Sequence, residues 1–327
     1  MNPFNYERAK NAEAAVRAAA PNSRFLAGGT NLIDLMKNYV ERPEKLIDIN
    51  RLDLAGIEPL PDGGLRLGAL ARNGDTANHP LVRQRYPLLS QAILSGASPQ
   101  LRNLATNGGN LLQRTRCPYF MDPAFAQCNK RLPGSGCGAL EGFNGSHAIL
   151  GASEKCIAVH PSDMCVALAA LEATIRVRGR TGERQIPIAH FHRLPGTTPE
   201  IDTDLKADEL ILSIDLPASP YGAQSHYLKV RDRASYEFAL VSAAAALELD
   251  NGVIRTARIA LGGVAHKPWR AEAAEKLLSG QRASMDLFAA AAREALAGAK
   301  AYRENGFKVE LARRSIVRAL AKAGGIA

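Results

Sequence analysis

No stretch of the 327-residue sequence is long and apolar enough to cross a bilayer. The longest purely apolar runs, such as Met164–Leu171, fall far short of the roughly 18–20 residues a spanning helix needs. The N-terminus reads MNPFNYERAK, with charges where a signal peptide has its apolar run, and no twin-arginine pair opens the chain. With no address of its own, the chain is expected in the cytoplasm, or in the periplasm if a signal-bearing partner carries it there. Basic runs of five or more residues, RNA-binding signatures and zinc-finger spacings are all missing. The net charge of +9, from 41 Lys and Arg against 32 Asp and Glu, is therefore read as suiting an acidic partner subunit or an anionic cofactor, not nucleic acid. GxGxxG and Walker A patterns are absent, which excludes a simple Rossmann or P-loop site. There is no CxxC, so zinc-ribbon and ferredoxin spacings are excluded too.

What remains is an ordinary globular composition, 46% hydrophobic and 22% charged, long enough for two or three domains. The first 56 residues read as an α/β unit. It has an alanine-rich helix over residues 12–20, a strand over 24–27, a helix near 32–37 and a strand over 45–49. A strand follows at 64–70 and a helix at 87–97. Residues 99–160 are rich in Gly, Asn, Pro and Cys and show little periodicity, and a structureless stretch of that length is usually functional. Regular patterning returns with a helix at 162–171 and strands at 173–178 and 209–216. Pro217, Pro220 and Gly222 mark a boundary. Strands near 226–230, 243–249 and 254–261, then helices near 270–278, 285–297 and 310–323, predict a second domain of α+β type.

Two glycine turns stand out. In Leu26-Ala27-Gly28-Gly29-Thr30-Asn31-Leu32, a glycine pair separates a strand from a helix start. Glycine permits close backbone approach and positive φ, and a helix start offers free N–H groups to a phosphate. A plain βα turn with Thr30 or Asn31 as N-cap fits equally well. The second turn, residues 100–111, contains Thr106, Asn107 and Asn110, whose hydroxyl and amide groups suit phosphate or ribityl oxygens. An Asn-rich surface loop with Asx turns is the alternative.

Five cysteines fall in or just after the loop stretch. Cys117, Cys128, Cys137 and Cys156 are separated by 11, 9 and 19 residues. Cys137 sits in Pro-Gly-Ser-Gly-Cys-Gly, a flexible wrapper, with Arg114, Arg116, Lys130 and Arg131 nearby to offset thiolate charge. An iron–sulfur cluster, zinc and disulfides all remain open on these residues alone. Cys165 lies on an apolar helix and reads as a small buried hydrophobe.

Taken together, AGGTNLIDLMK (27–37), QLRNLATNGGNLLQRTRCPYF (100–120) and HPSDMCVAL (160–168) resemble the FAD-binding subunits of the xanthine dehydrogenase family of molybdenum hydroxylases. CNKRLPGSGCGALEGFNGSHAILG (128–151), YLKVRDRASYEFALVS (227–242) and ALGGVAHKPWR (260–270) narrow the resemblance. They are similar to the bacterial periplasmic aldehyde oxidoreductases whose FAD subunit carries an additional iron–sulfur cluster. The resemblance spans essentially the whole chain. It implies an α+β fold. A PCMH-type, or vanillyl-alcohol-oxidase-like, FAD-binding domain of two α/β subdomains would occupy residues 1–218, with a cluster loop at about 112–157. A small α+β domain would occupy residues 219–327.

The resemblance also implies site residues. Phe25, Leu26, Ala27, Gly28, Gly29, Thr30, Asn31 and Leu32 would contact the FAD pyrophosphate and adenosine. Gly96 and Ala97 would lie by the flavin ring. Ala105, Thr106, Gly109 and Asn110 would form the second loop. Ser162 and Asp163 would reach ribityl or adenosine groups, and Ile211 and Lys229 would complete the pocket. Cys117, Cys128, Cys137 and Cys156 match the ligands of a [4Fe–4S] cluster. Asn31 stands where many family members have Asp, which keeps a polar group there. By the same resemblance the chain relays electrons within a larger enzyme. A partner with molybdenum cofactor would oxidise an aldehyde to a carboxylic acid, a [2Fe–2S] subunit would deliver the electrons, and FAD here would pass them to an external acceptor. No catalytic acid–base pair is expected in this chain; a stand-alone flavin oxidase or dehydrogenase of the same fold is the alternative.

Overall fold

The structure is a computed structural model and describes residues 1–326. Its strands form three sheets. The first is parallel, with Lys45–Asp48 between Asn5–Arg8 and Ser23–Leu26. Its central strand is the most buried of the three, as a strand with two neighbours must be. The second has five antiparallel strands in the order Ile57–Pro59, Leu65–Gly68, Leu210–Leu216, Thr174–Gly179 and Gly182–Pro187. The third is an antiparallel four-stranded sheet of Ser225–Val230, Val241–Asp250, Val253–Gly262 and Trp269–Arg270.

The alanine-rich strand Val241–Asp250 is buried on both faces. Ala244 and Ala246 join the core that contains the helix Asp163–Ala170, and Ala243, Ala245 and Leu247 join the core beneath the C-terminal helices. Side chains of a strand alternate between faces, so the run of alanines at 243–246 lets helices pack closely on both sides. The helix Phe307–Ala323 covers one face; Asp163–Ala170, buried along its whole length, contacts the other side of the sheet. No helix of the described residues is long and apolar enough to cross a membrane.

Most expected elements are present with ends shifted by a residue or two, and the helix Leu32–Lys37 begins and ends where its pattern does. The strand Gly182–Pro187 has no apolar alternation because it is a largely exposed edge. The helices Asn73–Asn78 and Pro80–Arg85 were unmarked by periodicity, being a single turn or so each. Residues 112–162 do hold little regular structure, but they are not loose. Ile149 and Leu150 donate N–H bonds to the Val264 carbonyl at 2.9 and 3.0 Å, and His160 donates to Ala265 at 3.0 Å. Lys308, with no exposed surface, donates its ammonium protons to the carbonyls of Ser146, His147 and Gly263. The long loop is thereby stitched onto the third sheet and its helices.

Candidate functional site

The turn after Ser23–Leu26 and the second glycine loop face each other across a cleft of about 520 Å³. That is within the usual range for a ligand site. Phe25, residues 27–32, Thr106, Gly109 and Ile211 line it. Among the described residues, no protein group accepts a hydrogen bond from the N–H groups of Gly28, Gly29, Thr30 or Asn31. A row of unpartnered backbone donors at a cleft is a cradle for an anion. Gly29 takes φ +73°, where a Cβ is strained. Gly28 presses against the second loop: a Cβ there would run into the Leu104 carbonyl oxygen, with its carbon at 2.9 Å. Asn31 precedes the helix but does not cap it. Its Oδ1 accepts from the Arg114 N–H at 3.1 Å, and its buried Nδ2 has no partner.

The second loop does a different job from the one its side chains advertise. Asn107 has no exposed surface and is spent on Asn73, Thr76 and the Gly68 carbonyl, so it is structural and does not offer its amide to a ligand. Thr106 accepts from Gly109 N–H as a helix N-cap. Asn110 donates to Asn73 and accepts from Ser162 at 2.6 Å. Ala105 packs behind Gly28, and Leu26 spends its carbonyl on Ile49 and Asn50.

A second pocket, about 200 Å³, lies beyond Thr115 and is lined by Arg116, Cys117, His147, His160, Ser162 and Asp163, among others. Asp163 is buried and accepts from Lys229 Nζ at 2.8 Å and Tyr227 OH at 2.7 Å. Lys229 also donates to the Ser95 carbonyl, and Gly96 lies so near that a Cβ would stand 3.2 Å from Asp163 Oδ2. Ala97 follows with φ +50°. Gly96, Ala97, Ser162, Asp163 and Lys229 thus form one neighbourhood at the edge of the smaller pocket, apart from the main cleft.

Cys117, Cys128, Cys137 and Cys156 line one small cavity together with Tyr119, Lys130 and His147. All are free thiols. Cys128 and Cys137 face each other across a hairpin held by Asn129 N–H to Gly136 (2.7 Å) and Gly138 N–H to Gln127 (2.9 Å). Burial pushes the Cys117 thiol up to about 12 and that of Cys156 up to about 11. His147 Nε2 lies 3.1 Å from Cys117 Sγ, and Ala158 N–H donates to Cys156 Sγ at 3.5 Å. No three of these four sulfurs lie mutually within 4.8 Å. Sulfurs around one tetrahedral zinc, at about 2.3 Å from the metal, would stand roughly 3.8 Å apart. The sulfurs are therefore not arranged as a preformed single-zinc site. The cavity shares Thr115, Cys117 and His147 with the smaller pocket.

Behind these spaces lies a buried polar cluster that the sequence did not reveal. Asp202 accepts from Arg114 at 2.7 Å and from Lys130. Burial works to raise its carboxyl, but Lys130, Arg114 and His266 outweigh that and hold it well below the ordinary carboxylate range. Burial lowers His192 and His266 to about 4 and His160 well below its ordinary value, so all three are neutral near pH 7. Unfolded histidines bind protons near pH 6.5. The contribution of these three to stability is then full above pH 6.5 and is lost as pH falls toward 4. Chemical denaturation should show stability falling across that window by at most about 1.4 kcal/mol per pH unit per histidine. A flat profile between pH 6.5 and 4 would contradict the neutral buried cluster.

Comparison with known proteins agrees with this geometry. Residues 2–219 match the model of the FAD binding domain in molybdopterin dehydrogenase, and residues 226–323 that of the CO dehydrogenase flavoprotein C-terminal domain. The chain belongs to this family: it is a flavin-binding subunit of the molybdenum hydroxylase oxidoreductases. It is 54% identical to the aldehyde oxidoreductase FAD-binding subunit of Escherichia coli (strain K12), over 99% of both chains. It is 30% identical to the glyceraldehyde dehydrogenase medium chain of Sulfolobus acidocaldarius, over 87% of this chain and 84% of that one. Among solved structures it resembles a carbon monoxide dehydrogenase from Hydrogenophaga pseudoflava, with a TM-score of 0.76, 27% identity and coverage of 100% and 99%. The expected fold class, an α+β chain with a PCMH-type FAD-binding domain and a smaller C-terminal domain, is the one found.

Proposed function

We propose that this chain is the FAD- and [4Fe–4S]-carrying electron-transfer subunit of a molybdenum-dependent aldehyde oxidoreductase. It would work with a molybdenum-cofactor subunit and a [2Fe–2S] subunit and deliver electrons to an external acceptor. The observation that carries the proposal is adjacency: a cleft with a row of unpartnered N–H groups stands one pocket away from a cavity walled by four cysteines. When bound, the two groups supply one- and two-electron redox chemistry.

The chain's own residues bind and orient. Gly28, Gly29, Thr30 and Asn31 would present their N–H groups to the pyrophosphate, with Phe25, Leu26, Ala27 and Leu32 shaping the turn. Ala105, Thr106, Gly109 and Asn110 would form the opposite wall, and Ile211 would close the cleft. Gly96, Ala97, Ser162, Asp163 and Lys229 would meet the flavin end. Cys117, Cys128, Cys137 and Cys156 would ligate the cluster. Their donor set fits: burial raises the Cys117 and Cys156 thiols, which a bound cation would ionise, and no three of the four sulfurs stand close enough together for one preformed zinc. On this reading the flavin domain ends near residue 218, and the loop at 112–157 belongs to it. The similarity to an aldehyde oxidoreductase FAD-binding subunit supports the choice of aldehyde.

No molybdenum-site resemblance and no pair poised for acid–base catalysis was found in the sequence, so the isolated, FAD-loaded chain should not turn over aromatic or aliphatic aldehydes. Combined with its partners it should support aldehyde-dependent reduction of an artificial acceptor, and removing FAD should stop that reduction. Aldehyde turnover by the single chain, without molybdenum, would sink the proposal in favour of a stand-alone flavoenzyme.

A further inference from the structure

Cys165, the one cysteine outside the four-thiol cavity, does not sit among apolar groups alone. Its Sγ, a ring nitrogen of His160 and a ring nitrogen of His192 lie mutually within 4.8 Å, the one such trio among the described residues. The two rings stand 4.3 Å apart, centroid to centroid. His192 Nε2 lies 2.8 Å from the Leu111 carbonyl, which can only accept, so this nitrogen carries the proton and Nδ1 offers a bare lone pair. That Nδ1 has no partner, and neither does His160 Nε2. Two buried, unpartnered imidazole nitrogens beside a thiol are costly unless something binds between them.

We propose that His160, His192 and Cys165 form a metal site that takes copper(I). The site is separate from the four-cysteine cavity; only its test rests on the function proposed above, since bound iron keeps those four thiols from competing for copper. Thiolate and imidazole are ligands for soft and borderline ions, not for magnesium or calcium. Ligand number decides among the soft and borderline ions: three protein donors meet here, none of them a carboxylate, whereas a closed zinc site takes four. The Leu111 carbonyl holds the His192 ring in the tautomer that ligation needs, as outer-shell carbonyls do at metal sites. His160 also lines the 200 Å³ pocket, which places the trio at the wall of that pocket. Binding would form one Cu–S and two Cu–N bonds and release the Cys165 thiol proton to solvent, with no change of oxidation state.

The test is an anaerobic titration of the full chain, loaded with flavin and iron, with one equivalent of copper(I) in competition with bicinchoninate. The native chain should hold the ion against the chelator. Cys165→Ala, Cys165→Ser and His192→Gln should each bind it at least tenfold more weakly, about the loss expected at a ligand or its support, with iron and flavin contents unchanged. Cys165→Ser keeps the side-chain volume, and His192→Gln keeps a donor for Leu111, so a loss shared by these variants is not a folding defect. Equal copper retention by the native chain and Cys165→Ala would overturn the proposal, as would retention of zinc in preference to copper in an equimolar challenge.

Discussion

Gly28→Ala should weaken FAD binding by about ten- to a hundredfold. The added Cβ would meet the Leu104 carbonyl, a backbone group that cannot swing aside as a side-chain tip can. Either the turn or the second loop must move, and overpacking of this kind costs about 1–3 kcal/mol. About 1.4 kcal/mol corresponds to a factor of ten in affinity. Both segments line the cleft, so movement of either one disturbs a cradle wall and the cost appears in flavin affinity. Gly306→Ala is the control: it lies outside the cleft, and its Cβ meets only the Ala301 methyl, at 3.9 Å. Gly29→Val should also lose flavin, through strain at φ +73° and contact with Ile33. Flavin titration of the three apoproteins measures this. Native affinity in Gly28→Ala would show that the two loops do not form the flavin cradle.

Cys137→Ala should abolish iron and labile sulfide, and Cys165→Ala should leave both intact. Cys137 lies on the hairpin that also positions Cys128, and Asn129 Oδ1 accepts from the N–H groups of Gly134 and Gly136 to shape it. Outside the stretch stitched to the third sheet, the hairpin of Cys128 and Cys137 depends on what its cysteines hold, because binding energy at such a site is also folding energy. Loss of iron should therefore lower the thermal unfolding temperature as well. Cys165 contributes to a different trio and sits in a helix that packs without the loop. Iron, sulfide and zinc analysis after anaerobic purification decides the matter. Stoichiometric zinc with neither iron nor sulfide in the native chain, or full iron in Cys137→Ala, would refute the cluster assignment.

Several features were legible in the residues because their causes are local. The helix Leu32–Lys37, the strand Lys45–Asp48 and the helix Asp163–Ala170 follow from periodicity and flanking turn residues within a few positions. The glycine pair at 28–29 announced a tight approach, and the four loop cysteines, grouped in the sequence, line one cavity. Pairing partners were not legible. Leu65 lies beside Leu216, and Arg66 pairs with Asp215 at 2.6 Å, across a separation that no local preference can span.

Only the tertiary structure decided which polar side chains are free. Asn107 looks like a ligand-binding amide in sequence and proves to be an internal strut; Asn31 looks like a cap and instead receives an N–H from Arg114. Cys165 reads as apolar filling from its neighbours on the helix. Folding brings His192 against it and His160, from a segment with no motif of its own. The physical reason is the same in each case. Sequence patterns report the chain's own backbone preferences and its split between inside and outside. A hydrogen bond or a ligand set depends on distances of a few ångströms between atoms remote in the chain, and those are fixed only when the layers pack.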